Sequence, residues 1–205
     1  MPDTVYTIGH SNHALEIFID LLRAHGITAV ADVRSHPVSK FNPQFNRYGL
    51  RVQLKLAGLA YVFLGRELGA RPEDESCYIN GKVQYDLLAR TPLFQEGLSR
   101  IIKGARSHRI ALMCAEKDPL TCHRAILVCR YLAVQGISSQ HILENGRLEG
   151  HDEALSRLLE ELGLSEANLF TNRNQALLHA YDQRAKEIAY ARKFSPMQSF
   201  VRAQA

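Results

Sequence analysis

The stretch Leu112-Met113-Cys114-Ala115-Glu116-Lys117-Asp118-Pro119-Leu120-Thr121-Cys122-His123-Arg124 holds the densest set of reactive side chains in the sequence. Its apolar start reads as a buried strand that delivers Cys114 to a sheet edge. A short polar loop carries Glu116, a candidate acid or base. Cys122, His123 and Arg124 then open a helix, with Asp118-Pro119 or Thr121 as cap signals. A thiol in the first turn of a helix meets the positive end of the dipole and free amides, which favour the thiolate. His123 and Arg124 add positive charge, so Cys122 is a candidate nucleophile or redox thiol. The plainer alternative is that Cys114 and Cys122 are small buried apolar residues. His123 and Arg124 could equally form an anion-binding helix start without catalysis.

Two other places carry candidate chemistry. Gly9-His10-Ser11-Asn12 ends the first strand-like run. Ser11 or Asn12 is expected to cap the next helix and to touch substrate, and His10 is a candidate general base. Asp32 and Arg34 end a second apolar run and share a face by the period of two. A charged pair there costs desolvation unless it is partnered or used. Asp32 would orient the proton-transfer histidine, or form an ion pair with Arg34 or Arg124. The amide-rich loop after it holds Lys40, Asn42 and two phenylalanines, and reads as a lid, a base-stacking loop or a self-packed turn. Together Arg34, Lys40, Arg124 and a helix start make an anionic group the expected ligand.

A metal is the weaker expectation. Cys122 and Cys129 lie seven apart on one helix, roughly 10 Å between Cα atoms, too far to share a zinc ion. Cys114 and Cys122 could share one, but Cys77 or a histidine would have to come from afar. No cofactor is therefore expected. There is neither a Walker-type loop nor a glycine-rich dinucleotide fingerprint, and the phosphatase spacing of Cys, five residues, Arg fails because position 120 is Leu.

The elements that position these residues alternate. Strand-like runs cover Val5–Gly9, Thr28–Val33, Tyr61–Leu64, Arg109–Cys114 and Gln140–Leu143, and helix-like stretches separate them. The segment Glu67–Asn80 reads as a long surface excursion. The expected fold is α/β: a single domain with a mainly parallel sheet of about five strands, helices on both faces, and a C-terminal helical extension. Ligands in such sheets sit beyond the carboxyl ends of the strands, where every candidate named above falls. The domain is expected over residues 1–150, with helices and a basic tail over 151–205 packed on it or mediating self-association in a homodimer.

The 205 residues are 46% apolar, enough for a substantial core. No run approaches the roughly 18 apolar residues of a membrane span. Met1-Pro2-Asp3 lacks the basic start of a secretory signal, so a cytoplasmic location and reduced thiols are expected for the four cysteines. The net charge of +4 sits in the tail: residues 171–205 hold six basic and two acidic side chains, and the rest is balanced. That argues against a strong nonspecific DNA binder and leaves nucleic acid as a candidate substrate.

The motifs Thr7-Ile8-Gly9-His10-Ser11-Asn12, Asp32-Val33-Arg34-Ser35-His36-Pro37, Asn42-Pro43-Gln44-Phe45-Asn46, Met113-Cys114-Ala115-Glu116 with Cys122-His123-Arg124, and His141-Ile142 closely resemble the family known as domain of unknown function 488. The resemblance covers about residues 4–150. It implies one α/β domain, carries no established reaction, and includes members described in connection with DNA repair.

Three functional readings follow. In the first, an enzyme (a hydrolase or transferase before an oxidoreductase) acts on a phosphate-bearing or other anionic substrate related to nucleotides or nucleic acids. Cys122 attacks, His10 or His123 moves the proton, Asp32 orients it, and Arg34 and Arg124 hold the anion. In the second, Asp32, His10 and Glu116 perform acid-base or glycosidic chemistry on a nucleoside and the cysteines are structural. In the third, the chain is a non-catalytic nucleotide or nucleic-acid binding module.

Overall fold

The computed structural model describes residues 4–164 and 172–192. Six strands form one sheet: β1 (Thr4–Gly9), β2 (Ala29–Asp32), β3 (Ala60–Phe63), β6 (Ile110–Cys114), β7 (Ser138–Ile142) and β8 (Leu148–Gly150), with a separate two-stranded hairpin of β4 (Tyr78–Ile79) and β5 (Lys82–Val83). The sheet order is β3-β2-β6-β1-β7-β8, all parallel except the β7–β8 pair. The expected α/β architecture is present. β8 adds a strand that the sequence does not announce, since Leu148-Glu149-Gly150 is too short and polar for an alternating pattern. The stretch expected as a surface excursion instead folds into the short helix α3 (Gly65–Leu68), a single 3-10 turn and the first strand of the hairpin.

Helices cover both faces, which is why β2 and β6 are buried throughout and read as apolar runs, β2 up to its terminal Asp32. On one face, α1 (Leu15–Ala24) and α2 (Arg47–Leu56) bury Phe18, Leu22, Leu50 and Leu54 against Tyr6, Ile8, Val30, Ala111 and Met113. On the other, α4 (Tyr85–Ala89), α5 (Pro92–Ala105), the helix that follows β6, α7 (His151–Glu161) and α8 (Arg173–Ile188) share one core with Val5, Ala31, Ile110 and Leu112. The C-terminal helices share that core. Lys193 and Arg202 of the expected basic tail lie outside the described residues. Ser11 and Asn12 do not cap α1: the chain turns through Ser11 at φ 47°, and the helix starts three residues beyond Asn12 without a side-chain cap. Among the described residues no helix is long and apolar enough to cross a membrane.

A buried hydrogen-bonded chain ties the last helices to the sheet. His151 Nε2 meets Tyr181 of α8 at 2.8 Å, His141 Nε2 meets His151 Nδ1 at 3.1 Å, and His141 Nδ1 meets Thr7 Oγ1 at 2.8 Å. Burial holds His141 well below the ordinary histidine value and His151 at about 4, so both are neutral in the fold. The unfolded chain therefore takes up protons that the folded one refuses. Stability carried by His151 is complete above about pH 6.5 and is lost as the pH falls toward 4. Unfolding free energy from urea titrations is expected to drop by about 3 kcal/mol through this one group between those limits. His151→Gln should flatten the pH dependence by that amount, whatever its absolute stability.

Candidate active site

The crevice opens where the chain changes sides. β6 lies between β1 and β2. The helices after β1 and β2 cover one face, and the helix after β6 covers the other. The connections that follow these three strands therefore lead to opposite faces of the sheet, which is where open α/β sheets place ligands.

The loop after β6 is shaped by its own side chains. Asp118 caps a 3-10 turn over Pro119–Thr121 by accepting from Leu120 N at 2.8 Å. Cys122 follows in extended conformation, φ −132° and ψ 141°. It is thus the residue before the helix rather than part of its first turn, because the 3-10 turn consumes Pro119 to Thr121. It still caps that helix. Its carbonyl accepts from Ala125 N and Ile126 N, both at 3.2 Å, and its sulfur accepts from Arg124 N at 3.4 Å. The helix then runs as a π-helix over Arg124–Cys129 before α6 (Arg130–Val134) continues as an ordinary α-helix. Such widened turns are rare and recur at functional sites. Cys129 is buried in the core away from the crevice.

Arg124 turns inward. It is 1% exposed and donates to Thr7 Oγ1 at 3.3 Å, the Glu116 carbonyl at 2.8 Å and the Lys117 carbonyl at 3.1 Å. It therefore clamps the loop from below instead of facing the cleft. The loop crosses directly over Gly9, where a Cβ would stand 1.9 Å from the Glu116 carbonyl oxygen. Backbone bonds from His10 N to Cys114 O (2.8 Å) and Ser11 N to Ala115 O (2.9 Å) extend the ladder past the strand ends.

These constraints bring four side chains together. Cys122 Sγ lies 3.0 Å from Glu116 Oε2, Cys114 Sγ lies 3.6 Å from His123 Nδ1, and Cys122 Sγ lies 3.8 Å from the same nitrogen. His123 Nε2 meets the Val33 carbonyl at 3.1 Å, which fixes the ring and leaves Nδ1 facing both sulfurs. The electrostatics separate the two thiols. Burial and the neighbouring Cys122 sulfur push Cys114 well above the usual thiol value. Burial also opposes the Cys122 thiolate, but the Cys114 hydrogen bond and the Arg124 and His123 charges outweigh it and hold Cys122 well below that value. His123 rises despite its burial, because the Cys122 charge attracts its proton, and Glu116, though its side chain reaches the cleft, is pushed up by the desolvation its surroundings impose and by that same charge. The donor atoms of Cys114, Glu116, Cys122 and His123 all lie within 4.8 Å of one another, a set able to hold a divalent metal ion.

A second cluster forms the floor. Arg34 donates to Asp32 through its backbone N (3.1 Å), Nε (2.9 Å) and Nη2 (2.7 Å), and Tyr61 donates to Asp32 Oδ2 at 2.8 Å. Arg34 also donates to the Phe45 carbonyl at 2.9 Å and to His10 Nε2 at 3.1 Å. His10 donates from Nδ1 to the Ser11 carbonyl at 2.8 Å and stacks on Phe45 with ring centroids 4.3 Å apart. Burial, aided by the Arg34 charge, lowers His10 to about 4. Asp32 thus orients Arg34, and reaches His10 only through it.

The cleft above holds about 580 Å³, and Arg34, Cys114, Glu116, Cys122 and His123 line it. Ser11, Asn12, Lys40, Asn42 and Arg124 do not. The sequence reading misses His36, which stands inside a quoted motif, and Arg71, which sits in the stretch taken for an excursion and has no motif to mark it. Arg71 lies 4.6 Å over the Tyr190 ring and, among the described residues, has no carboxylate within 4 Å. Tyr85 and Tyr190 complete the wall.

The family model described as Domain of unknown function DUF488 matches residues 14–131, more than half of the chain. No curated protein and no solved structure matches.

Two substitutions test the scaffold. Gly9→Ala is expected to cost about 2 kcal/mol or more in urea unfolding, since backbone on both sides of the contact must move. Its Cys114 and Cys122 should react faster with a thiol reagent in the folded state. Arg34→Met leaves the Asp32 carboxylate buried beside Tyr61 alone and is expected to cost about 3–5 kcal/mol by the same measurement.

Proposed function

The chain belongs to the DUF488 family, whose description assigns no reaction, and from the site itself we propose that it is a hydrolase or transferase acting on an anionic substrate. The substrate class is phosphate-bearing, of nucleotide or nucleic-acid type. One observation carries the reading. Two thiols, a carboxyl and an imidazole converge at the sheet's switch point on a cleft that also holds Arg71, which has no carboxylate partner among the described residues.

Bond cleavage beside an anion needs a counter-charge, an electron-rich centre and a group that carries a proton. Arg71 supplies the first from the cleft wall, with the His36 ring beside the same cleft. Residues 33–66, which contribute one side of that wall, hold six basic and no acidic side chains, so the local field favours an anion. Cys122 is the electron-rich centre. Glu116, exposed beside it, is placed to carry the proton. Arg34 and Arg124 act as positioning residues, because their guanidinium groups are spent on Asp32, His10 and loop carbonyls. Tyr190, half-buried in the wall under Arg71, adds an aromatic surface beside that charge.

The test is turnover of phosphomonoesters, nucleotides and short oligonucleotides by the full chain. Cys122→Ser and Glu116→Gln are expected to abolish turnover with circular dichroism unchanged. Arg71→Ala should raise KM roughly 10- to 100-fold with kcat nearly unchanged, as for loss of one charged hydrogen bond. A Cys122→Ser protein with full activity, or a wild-type chain that binds these anions without turning any over, overturns the reading.

A further inference from the structure

We propose that Cys114, Cys122, His123 and Glu116 form a tetrahedral zinc site. The proposal rests on reading this cleft as the active site, and names the ion that works in it. At sequence level a zinc site lacks a nearby third ligand. The structure supplies it from the very next residue: because Cys122 is extended and His123 is already helical, their side chains turn to the same point instead of diverging.

The dimensions fit. Zinc–sulfur and zinc–nitrogen bonds of about 2.3 and 2.0 Å at tetrahedral angles give edges of about 3.8 Å between sulfurs and about 3.5 Å from sulfur to nitrogen. His123 Nδ1 stands 3.6 and 3.8 Å from the two sulfurs, and no pair of donor atoms in the group is farther apart than 4.8 Å. The surroundings fit as well. A metal-bound histidine donates its other ring nitrogen to a carbonyl or carboxylate, and His123 Nε2 has the Val33 carbonyl at 3.1 Å. Charge also balances. A dication with two thiolates and one carboxylate leaves a single negative charge, and the buried Arg124 guanidinium beside it supplies the matching positive one.

Two sulfurs and an imidazole select a borderline-soft ion such as zinc over magnesium or calcium. Cys114, Cys122 and His123 are buried, whereas Glu116 is exposed to the cleft. Glu116 is therefore the ligand that water or substrate displaces, while the other three hold the ion. Cys122 then serves as a ligand, and the displaced position is where the substrate's reacting atom arrives.

Purified full-length protein, dialysed without added metal, is expected to contain one zinc per chain by elemental mass spectrometry. Replacing the zinc with cobalt should give an intense thiolate-to-metal charge-transfer absorption, a readout that needs no variant to fold. Cys114→Ser and Cys122→Ser should each lose most of the metal, and Cys77→Ala should keep it. No zinc retained and no cobalt–thiolate band in the reduced, folded wild-type chain would overturn the site. So would undiminished metal in Cys122→Ser, or a Cys114–Cys122 disulfide as the resting state. The two proposals fail separately. Stoichiometric zinc without turnover removes the enzyme and leaves the site. Cys122-dependent turnover in chelator-treated, metal-free protein removes the site and leaves the enzyme.

Discussion

A full positive charge is buried at the end of the central strands. Arg124 is 1% exposed, and among the described residues no carboxylate oxygen lies within 4 Å of it. Its three contacts are a hydroxyl and two backbone carbonyls. Dipoles alone leave such a cation expensive, because desolvation of an ion costs several kcal/mol. The Cys122 sulfur answers it: the two groups favour each other's charged forms, and the same sulfur accepts from the Arg124 backbone N. Most of the site follows from that. The guanidinium sets the height of the loop, keeps Cys122 electron-rich, and through Thr7 reaches the buried histidine chain.

That chain gives the C-terminal helices a part in the architecture of the site. An arginine can only donate, so Thr7 accepts from it and passes its own proton to His141 Nδ1. His141 then donates from Nε2 to His151, and His151 from Nε2 to Tyr181 on α8. One direction of donation runs from the reactive loop to the last helix. The orientation of Arg124 thus depends on both rings remaining neutral, and so on α7 and α8 staying docked.

The fold was legible because its strands are buried on both faces. Ile110–Cys114 and Ala29–Ala31 are apolar runs that no surface element would carry. The rule that ligands gather at strand ends then selected Cys114, Glu116, Cys122 and His123 together, and they do converge. Direction was not legible. Arg124 and Arg34 look like anion binders in the sequence, yet both turn toward partners inside the protein. Ser11 leaves the expected cap because a left-handed turn places it three residues too early. Whether His123 meets the sulfurs depends on the backbone angles of Cys122, which no periodicity reveals. Arg71 reaches the cleft only because a segment without strong pattern folds back over it. What patterning encodes is which face is buried; what it omits is the local dihedral that aims a side chain.

The π-helical run Arg124–Cys129 bears on chain length as well as on residue type. All six of its side chains are buried, Arg124 as the clamp on the reactive loop and the other five as core. The number of residues between His123 and Leu132 is a different matter. Leu132 fixes one end of the helix in the core, and the sulfur and imidazole fix the other. A turn closed by i→i+5 bonds holds one residue more than an α-helical turn over about the same rotation, so removing one residue lets the run tighten to an α-helix and leaves Cys122 and His123 aimed nearly as before. Removing one from α6, which is already α-helical, would instead rotate the reactive pair by about 100° and turn it from the crevice. The widened turn is thus where this helix can lose a residue and keep its aim.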